Sequence, residues 1–263
     1  MFRRFIGLGL AIVLSFIFVA PASGSIILLS NSPVTENFDS MPSSGTTGLV
    51  ATVGTHNALP GLTGFEGTKT GGSGSTLNFV ADSGTSNSGR LGSLGPASDS
   101  DRALGALASG TVRTAFGVEI VNNTGADLPF LKIDAFREQW RSSTSVQNVL
   151  SFAWALSGGS ATSSNYLTDG SLASLASLDL VGEPPVVSNG ATDGNTLRVA
   201  ITGTISTIIP DGSSVFIRWS DVDDAGSDAA LAVDDMTITV PEPATVALLS
   251  LGLVGLVRRR RAA

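Results

Sequence analysis

Between about residue 30 and residue 240 the chain repeats one pattern, short runs of alternating apolar and polar residues broken by clusters of Gly, Ser, Asn and Asp. Val112, Thr114, Phe116, Val118 and Ile120 fall on one side of such a run, with Arg113 and Glu119 on the other. Leu150, Phe152, Trp154 and Leu156 alternate with Ser151, Ala153 and Ala155. Leu197, Val199 and Ile201 do so against Arg198 and Thr202, and Val215, Ile217 and Trp219 against Ser214 and Arg218. A period of two puts the apolar set on one face of a half-buried strand, and nothing in this stretch sustains the 3.6-residue period of a helix. Turn-forming residues separate the runs at Asn122-Asn123-Thr124-Gly125, Ser157-Gly158-Gly159, Asp193-Gly194-Asn195 and Pro210-Asp211-Gly212. The fold expected is all-β, a single jelly-roll-like β-sandwich over residues 23–240 with roughly ten strands in one core. Residues 40–100, rich in Gly, Ser and Thr, are expected to give long loops or short edge strands. Leucines at 172, 175 and 178 predict either one short helix or a loop ending in a strand.

Composition narrows the chemistry. The 263 residues include no Cys, which excludes disulfides, zinc–thiolate sites, iron–sulfur clusters and a Cys nucleophile. The single His excludes a His-pair zinc site and leaves any Ser-His triad resting on His56. His56 lies in a Gly/Thr-rich loop and is expected to be exposed and without a partner. A net charge of −7 argues against nucleic acid as a partner, because that binding needs a basic face.

The two ends read as targeting segments. Residues 1–22 have the parts of a signal peptide: Arg3 and Arg4, the apolar run Phe5 to Val19, and Ala20-Pro21-Ala22 at the cleavage site, with signal peptidase as the implied partner. Residues 241–263 begin with Pro241-Glu242-Pro243, continue as an uncharged apolar run over 244–257, and carry Arg258, Arg259, Arg260 and Arg261. At 1.5 Å per residue that run makes a helix of roughly 21 Å, short of the ~30 Å hydrocarbon core, so it is expected to span marginally. The arginines belong on the cytoplasmic side, which places 23–240 outside. This order of parts resembles the PEP-CTERM sorting signal of Gram-negative bacteria. The resemblance implies recognition by an exosortase, anchoring in the inner membrane through 244–257 before processing, and then the cell surface or extracellular polysaccharide. A plain C-terminal anchor is the alternative. Without the six targeting arginines, nine basic residues face 22 acidic ones, a charge of −13 on the remainder.

The body resembles exported PEP-CTERM proteins of unassigned activity at Glu36-Asn37-Phe38-Asp39, Asp101-Arg102-Ala103-Leu104-Gly105 and Glu138-Gln139-Trp140-Arg141. Trp219-Ser220-Asp221 and Leu231-Ala232-Val233-Asp234-Asp235 add to this, and the last is similar to the closing strand of concanavalin-like and MAM-type jelly rolls. The resemblance implies the fold and no catalytic residues.

Four places offer chemistry. Asp221, Asp223, Asp224 and Asp228 crowd one loop, where their repulsion asks for solvent or a hard cation; Ca²⁺ is the candidate metal and a solvated acidic loop the alternative. Leu231 and Val233 alternate in the opposite phase to Met236, Ile238 and Val240, so burying all five requires a β-bulge at Asp234-Asp235. One of those aspartates then turns inward and needs a partner, with Arg102 or Arg218 as candidates. Trp140 and Trp154 with Arg137, Glu138 and Arg141 are candidates for a sugar-stacking face. Asp134 and Glu138, four residues apart on one strand face, are candidates for paired glycosidase carboxylates. Taken together, the sequence points to an exported, non-catalytic structural or adhesive component of exopolysaccharide or biofilm. The alternatives are a carbohydrate-binding module and a secreted polysaccharide hydrolase.

Overall fold

The computed structural model describes residues 24–28 and 32–240; the expected signal peptide and the segment 241–263 lie outside the described residues. In chain order the first strands are β1 (Ile26–Leu28), β2 (Val34–Glu36), β3 (Thr46–Leu49), β4 (Asn57–Ala58), β5 (Phe65–Gly71), β6 (Leu77–Asp82), β7 (Arg90–Leu94) and β8 (Ala103–Leu107). Then follow β9 (Arg113–Asn122), β10 (Leu131–Arg141), β11 (Val149–Leu156), β12 (Ala173–Ser174), β13 (Leu180–Val181), β14 (Val199–Ile205), β15 (Ser214–Asp221) and β16 (Ala230–Thr239). A single 3₁₀ turn, Ala176–Leu178, is the only helical element among the described residues, and none of them forms a helix long and apolar enough to cross a membrane.

The strands form two sheets packed as a sandwich. One runs β12-β11-β15-β9-β5-β4, with β13 beside β11 and β1 parallel to β9. The other runs β14-β10-β16-β8-β7-β6-β3, with β2 beside β16. Alternation along each strand decides what enters the core. Val215, Ile217 and Trp219 of β15 meet Phe116, Val118 and Ile120 of β9 and Leu150 and Phe152 of β11. From the second sheet come Leu131, Ile133 and Ala135 of β10 and Leu231, Val233, Met236 and Ile238 of β16. Trp219 is the centre of an aromatic group, with Phe152 edge-on at 5.1 Å and Phe116 stacked at 5.7 Å, and its indole N–H donates to the Leu178 carbonyl at 2.9 Å. That bond draws the 3₁₀ turn against the sandwich, so the leucines at 172, 175 and 178 sit in a turn flanked by the two-residue strands β12 and β13.

Both sheets also carry apolar residues on their outer faces. Phe216 packs with Ala115, Ala161, Tyr166 and Leu167 beneath residues 157–172, and Trp140 packs with Leu94, Leu107, Ala230 and Ala232 on the other side. The expectation for residues 40–100 holds only in part: β3 and β4 are short strands that end their sheets, but longer inner strands also arise there. The Gly- and Ser-rich stretch 40–100 supplies β5, β6 and β7 of seven, six and five residues, and β7 is buried along its whole length. The small residues of this half of the second sheet have a packing reason: an added Cβ on Gly105 of β8 would overlap the Leu231 carbonyl of the neighbouring strand.

Candidate functional site

The phase change in β16 is a β-bulge, as the sequence requires. Asp134 of β10 pairs with Thr237, but Phe136 pairs with Asp234, so β16 carries one extra residue there. Asp235 absorbs it with a left-handed φ of 45°. The bulge returns Met236 and Ile238 to the core already entered by Leu231 and Val233. It also sets Asp234 on the outer side, next to Glu138 of β10, where both are buried.

The partner of this pair is neither Arg102 nor Arg218 but Arg198. Its Nη2 lies 3.3 Å from Asp234 Oδ2 and bonds Asp235 Oδ2, and its Nε is 3.7 Å from Glu138 Oε1. The Phe136 ring supports the guanidinium from below at 3.8 Å. Trp140 Nε1 donates to Glu138 Oε2 at 3.0 Å. Three carboxylates thus share one cation. Burial, then the Glu138 charge, pushes the Asp234 carboxyl up to about 8, and burial raises that of Glu138 as well. In the ion cluster of Arg198, Asp234 and Glu138, burial thus outweighs the shared cation at both carboxyls. Arg102 is used elsewhere, on Ser93 Oγ and the Pro96 carbonyl, and Arg218 bonds the Tyr166 carbonyl on the opposite sheet.

The structure separates the residues considered for sugar. Trp140 stands on β10 and Trp154 on β11, in different sheets. The Trp140 ring is buried, and Gly194 lies so close to it that an added Cβ would overlap the indole. Trp154 leans on the main core. Arg137 is engaged by Glu183 and the Leu197 carbonyl, and Arg141 by the carbonyls of Gly84 and Thr85. These five residues form no common face. Asp134 is not brought to Glu138 either: Phe136 stands between them, and four residues of strand separate their Cα atoms by ~13 Å. Asp134 instead bonds Lys132 at 2.8 Å.

The acidic loop follows β15. Asp221, at the strand end, is buried, and its Oδ2 has no hydrogen-bond partner among the described residues. Burial, then Asp228 and Asp224, hold its carboxyl well above the usual carboxylate range. Asp223 points to solvent. Asn148 donates to Asp224 Oδ2 at 2.6 Å and to Asp228 Oδ1 at 3.4 Å, and accepts the Ala229 N–H at 2.5 Å. Asp228 also receives the Asp224 N–H, and burial first of all pushes its carboxyl up to about 6. A cavity of about 210 Å³ opens beside Asp223 and Asp228, walled by Asn87, Ser109 and Ser227. Among the described residues no group of three or more His, Asp or Glu is arranged to hold a metal ion. Asn148 is the organiser here, and no local sequence signal marks it.

His56 is not the exposed, unpartnered residue expected. Its Nδ1 lies 2.9 Å from Glu66 Oε2, and its side chain is 8% exposed. Tyr166 OH donates to the same oxygen at 3.3 Å, and the two rings meet edge to face at 5.0 Å. The group fastens residues 157–172 to the outer face of the first sheet. The only Tyr in the chain, in a segment otherwise poor in large residues, was the available clue.

Comparison with known proteins adds the tail. Residues 239–261 match the PEP-CTERM protein-sorting motif. It includes Pro241, Glu242, Pro243 and Arg258 to Arg261, which lie outside the described residues. No curated protein matches the chain in sequence. Among solved structures the chain is similar to the CBM22-1 xylan-binding domain of Paenibacillus barcinonensis Xyn10C, at 10% identity and a TM-score of 0.30, over 82% of this chain and 98% of that one. It is also similar to the K1 cleaved adhesin domain of Lys-gingipain from Porphyromonas gingivalis W83, at 12% identity and a TM-score of 0.36, over 80% and 99% of the two chains. At such values neither likeness carries an argument about this chain. A sorting motif of this kind implies export, anchoring of the tail before processing, and an exosortase as processing partner. Thr239 is both the last residue of β16 and the first of the match, so this chain is a β-sandwich whose closing strand runs directly into a PEP-CTERM sorting signal.

Proposed function

We propose that this protein is an exported, non-catalytic β-sandwich, delivered by signal peptidase and exosortase processing to the cell surface or extracellular polysaccharide, where it acts as a structural or adhesive component of the matrix. The observation that carries the reading is the sorting motif abutting β16 without an intervening linker, which makes the sandwich itself the cargo. The burial of the polar clusters supports a non-catalytic role. Glu138 and Asp234 lie under Arg198 and beside the covered Trp140, which offers an incoming sugar neither a free ring face nor an accessible acid.

Mass spectrometry of the mature protein from its native host, combined with cell fractionation, tests the reading. The expected species lacks residues 1–22 and ends near Pro243, in the surface or extracellular fraction. A mature chain that still contains Arg258 to Arg261, or one retained in the cytosol, would refute it.

A further inference from the structure

The last strand and the sorting motif share Thr239, so almost no chain separates the sandwich from its anchor. Val240 is still buried, and only Pro241, Glu242 and Pro243 precede the apolar run that begins at Ala244. Three residues reach at most ~10 Å. The run itself makes a helix of roughly 21 Å against a hydrocarbon core of ~30 Å, so an embedded tail draws the chain before it toward the headgroups. The end of the sandwich by which β16 leaves therefore stands at the membrane surface while the tail is embedded.

Strand register identifies what lies at that end. Thr239 pairs with Lys132 of β10, and the next residue of β10, Leu131, pairs with Ile205 of β14, so Leu131 and Ile205 lie level with Val240. Past them the β9–β10 and β14–β15 connections, residues 123–130 and 206–213, run on together: Leu128 and Ile209 exchange backbone bonds at 3.0 and 2.8 Å. Ile208 is three residues beyond Ile205, up to ~10 Å past the level of Val240, which equals the full reach of the three tail residues. Ile209 turns into the core and leaves Ile208 63% exposed. Pro129 and Pro210 are exposed on the same two connections, and Phe130 is half-buried. A single exposed Ile is ordinary, but this one stands where the length of the tail brings the body to the membrane. The opposite end carries Asp223, Asp224 and Asp228, and the ten residues of β16 hold it ~33 Å away.

We propose that residues 123–130 and 206–213 form a membrane-resting surface, held by the short tail against zwitterionic phospholipid headgroups before processing, with Ile208 and Phe130 in the interface. The tail selects the bilayer as occupant, and charge selects the lipid class. The two connections contain Asp127 and Asp211 and no Lys or Arg, so they have nothing to attract anionic lipid. Both aspartates fasten the connections to each other: Asp211 Oδ1 accepts the Gly125 N–H at 2.9 Å, and Asp127 Oδ1 accepts the Asp211 N–H at 3.1 Å. The surface thus arrives at the membrane as one fixed piece. The inference rests on the anchoring that the sorting motif implies.

The full chain reconstituted in vesicles of phosphatidylcholine and phosphatidylethanolamine tests this. Because the sequence has no Cys, Ile208→Cys, Val187→Cys and Leu249→Cys can each carry one fluorophore. Val187 is exposed at the far end, where its neighbour Val186 bonds Ser143 beyond β10, and serves as the aqueous reference. Leu249, in the apolar run, reports whether the tail is embedded. The label at 208 is expected to be at least about threefold less accessible to aqueous acrylamide than the label at 187. A ten-residue Gly/Ser spacer after Val240 is expected to return it to the value at 187. A label at 208 as accessible as that at 187, with 249 shielded, overturns the proposal and leaves the anchoring intact. A label at 249 open to acrylamide removes the anchoring and the proposal with it. Shielding at 208 that survives the spacer, or that arises only with an exosortase in the same vesicles, overturns the assignment to a tail-held lipid surface.

Discussion

At Asp234 and Asp228 burial is the largest influence, and it favours the neutral acid. Their carboxyls stand at about 8 and about 6 in the folded chain, against an ordinary 3.8. Each therefore keeps a proton over a range in which the unfolded chain has released it. Their contribution to stability is complete below the ordinary value and is lost as pH rises, first through Asp228 and then through Asp234. Calorimetric melts are expected to show Tm falling between pH 5 and pH 9. Asp234→Asn, which is neutral throughout, is expected to remove most of the slope above pH 6. A wild-type Tm that climbs across this window would contradict the assignment. Arg198 moderates the effect, because its charge favours the ionised forms of Asp234 and Glu138. The sequence disclosed that an aspartate at 234 or 235 would need a partner; it did not disclose which. Arg198 lies far from β16 in the chain and arrives through the pairing of β14 on β10 and β10 on β16, a relation that no local pattern encodes. The same holds for Asn148 on the acidic loop and for Glu66 and Tyr166 around His56.

At the scale of elements, the bulge in β16 is the clearest case of a tertiary feature legible in the sequence. Period-two alternation fixes which residues share a face, so a change of phase inside one strand leaves only a bulge if both halves are buried. Deleting Asp235 should thus turn either Leu231 and Val233 or Met236, Ile238 and Val240 away from the core. At ~2 kcal/mol per large buried side chain the loss is about 4–6 kcal/mol, comparable with the whole stability of a domain, ~5–15 kcal/mol. The deletion variant is expected to yield no cooperatively melting protein. Asp235→Gly suits the left-handed φ of 45° and gives up only a half-exposed ion pair, so its stability should stay within about 1 kcal/mol of wild type by denaturant titration. The stretch 40–100 shows the opposite situation. Gly and Ser there suit loops, yet Gly92 and Ser93 lie in β7, which is buried along its length, and composition alone cannot separate the two uses.

For the whole molecule, the junction at Thr239 joins a folded body to a linear signal. β16 is bonded on both sides, by β10 on one and by β8 and β2 on the other, up to the edge of the motif. Processing at or beyond Glu242 leaves every residue of that strand in place. The processed body and the full chain in detergent are accordingly expected to melt at the same temperature, whereas truncation before Thr237 should lower Tm by removing paired strand. Equal loss of stability in both would mean that the tail is part of the fold.

The linear sequence by itself determined the all-β class, the sandwich, the bulge and the sorting signal, because each is written in residues adjacent along the chain or at a fixed short period. Only the tertiary structure decided that Arg198 answers Asp234 and Glu138, that the Trp140 ring is covered, and that His56 has partners. Those outcomes depend on which strands become neighbours, and strand order is set by the packing of distant segments around a common core.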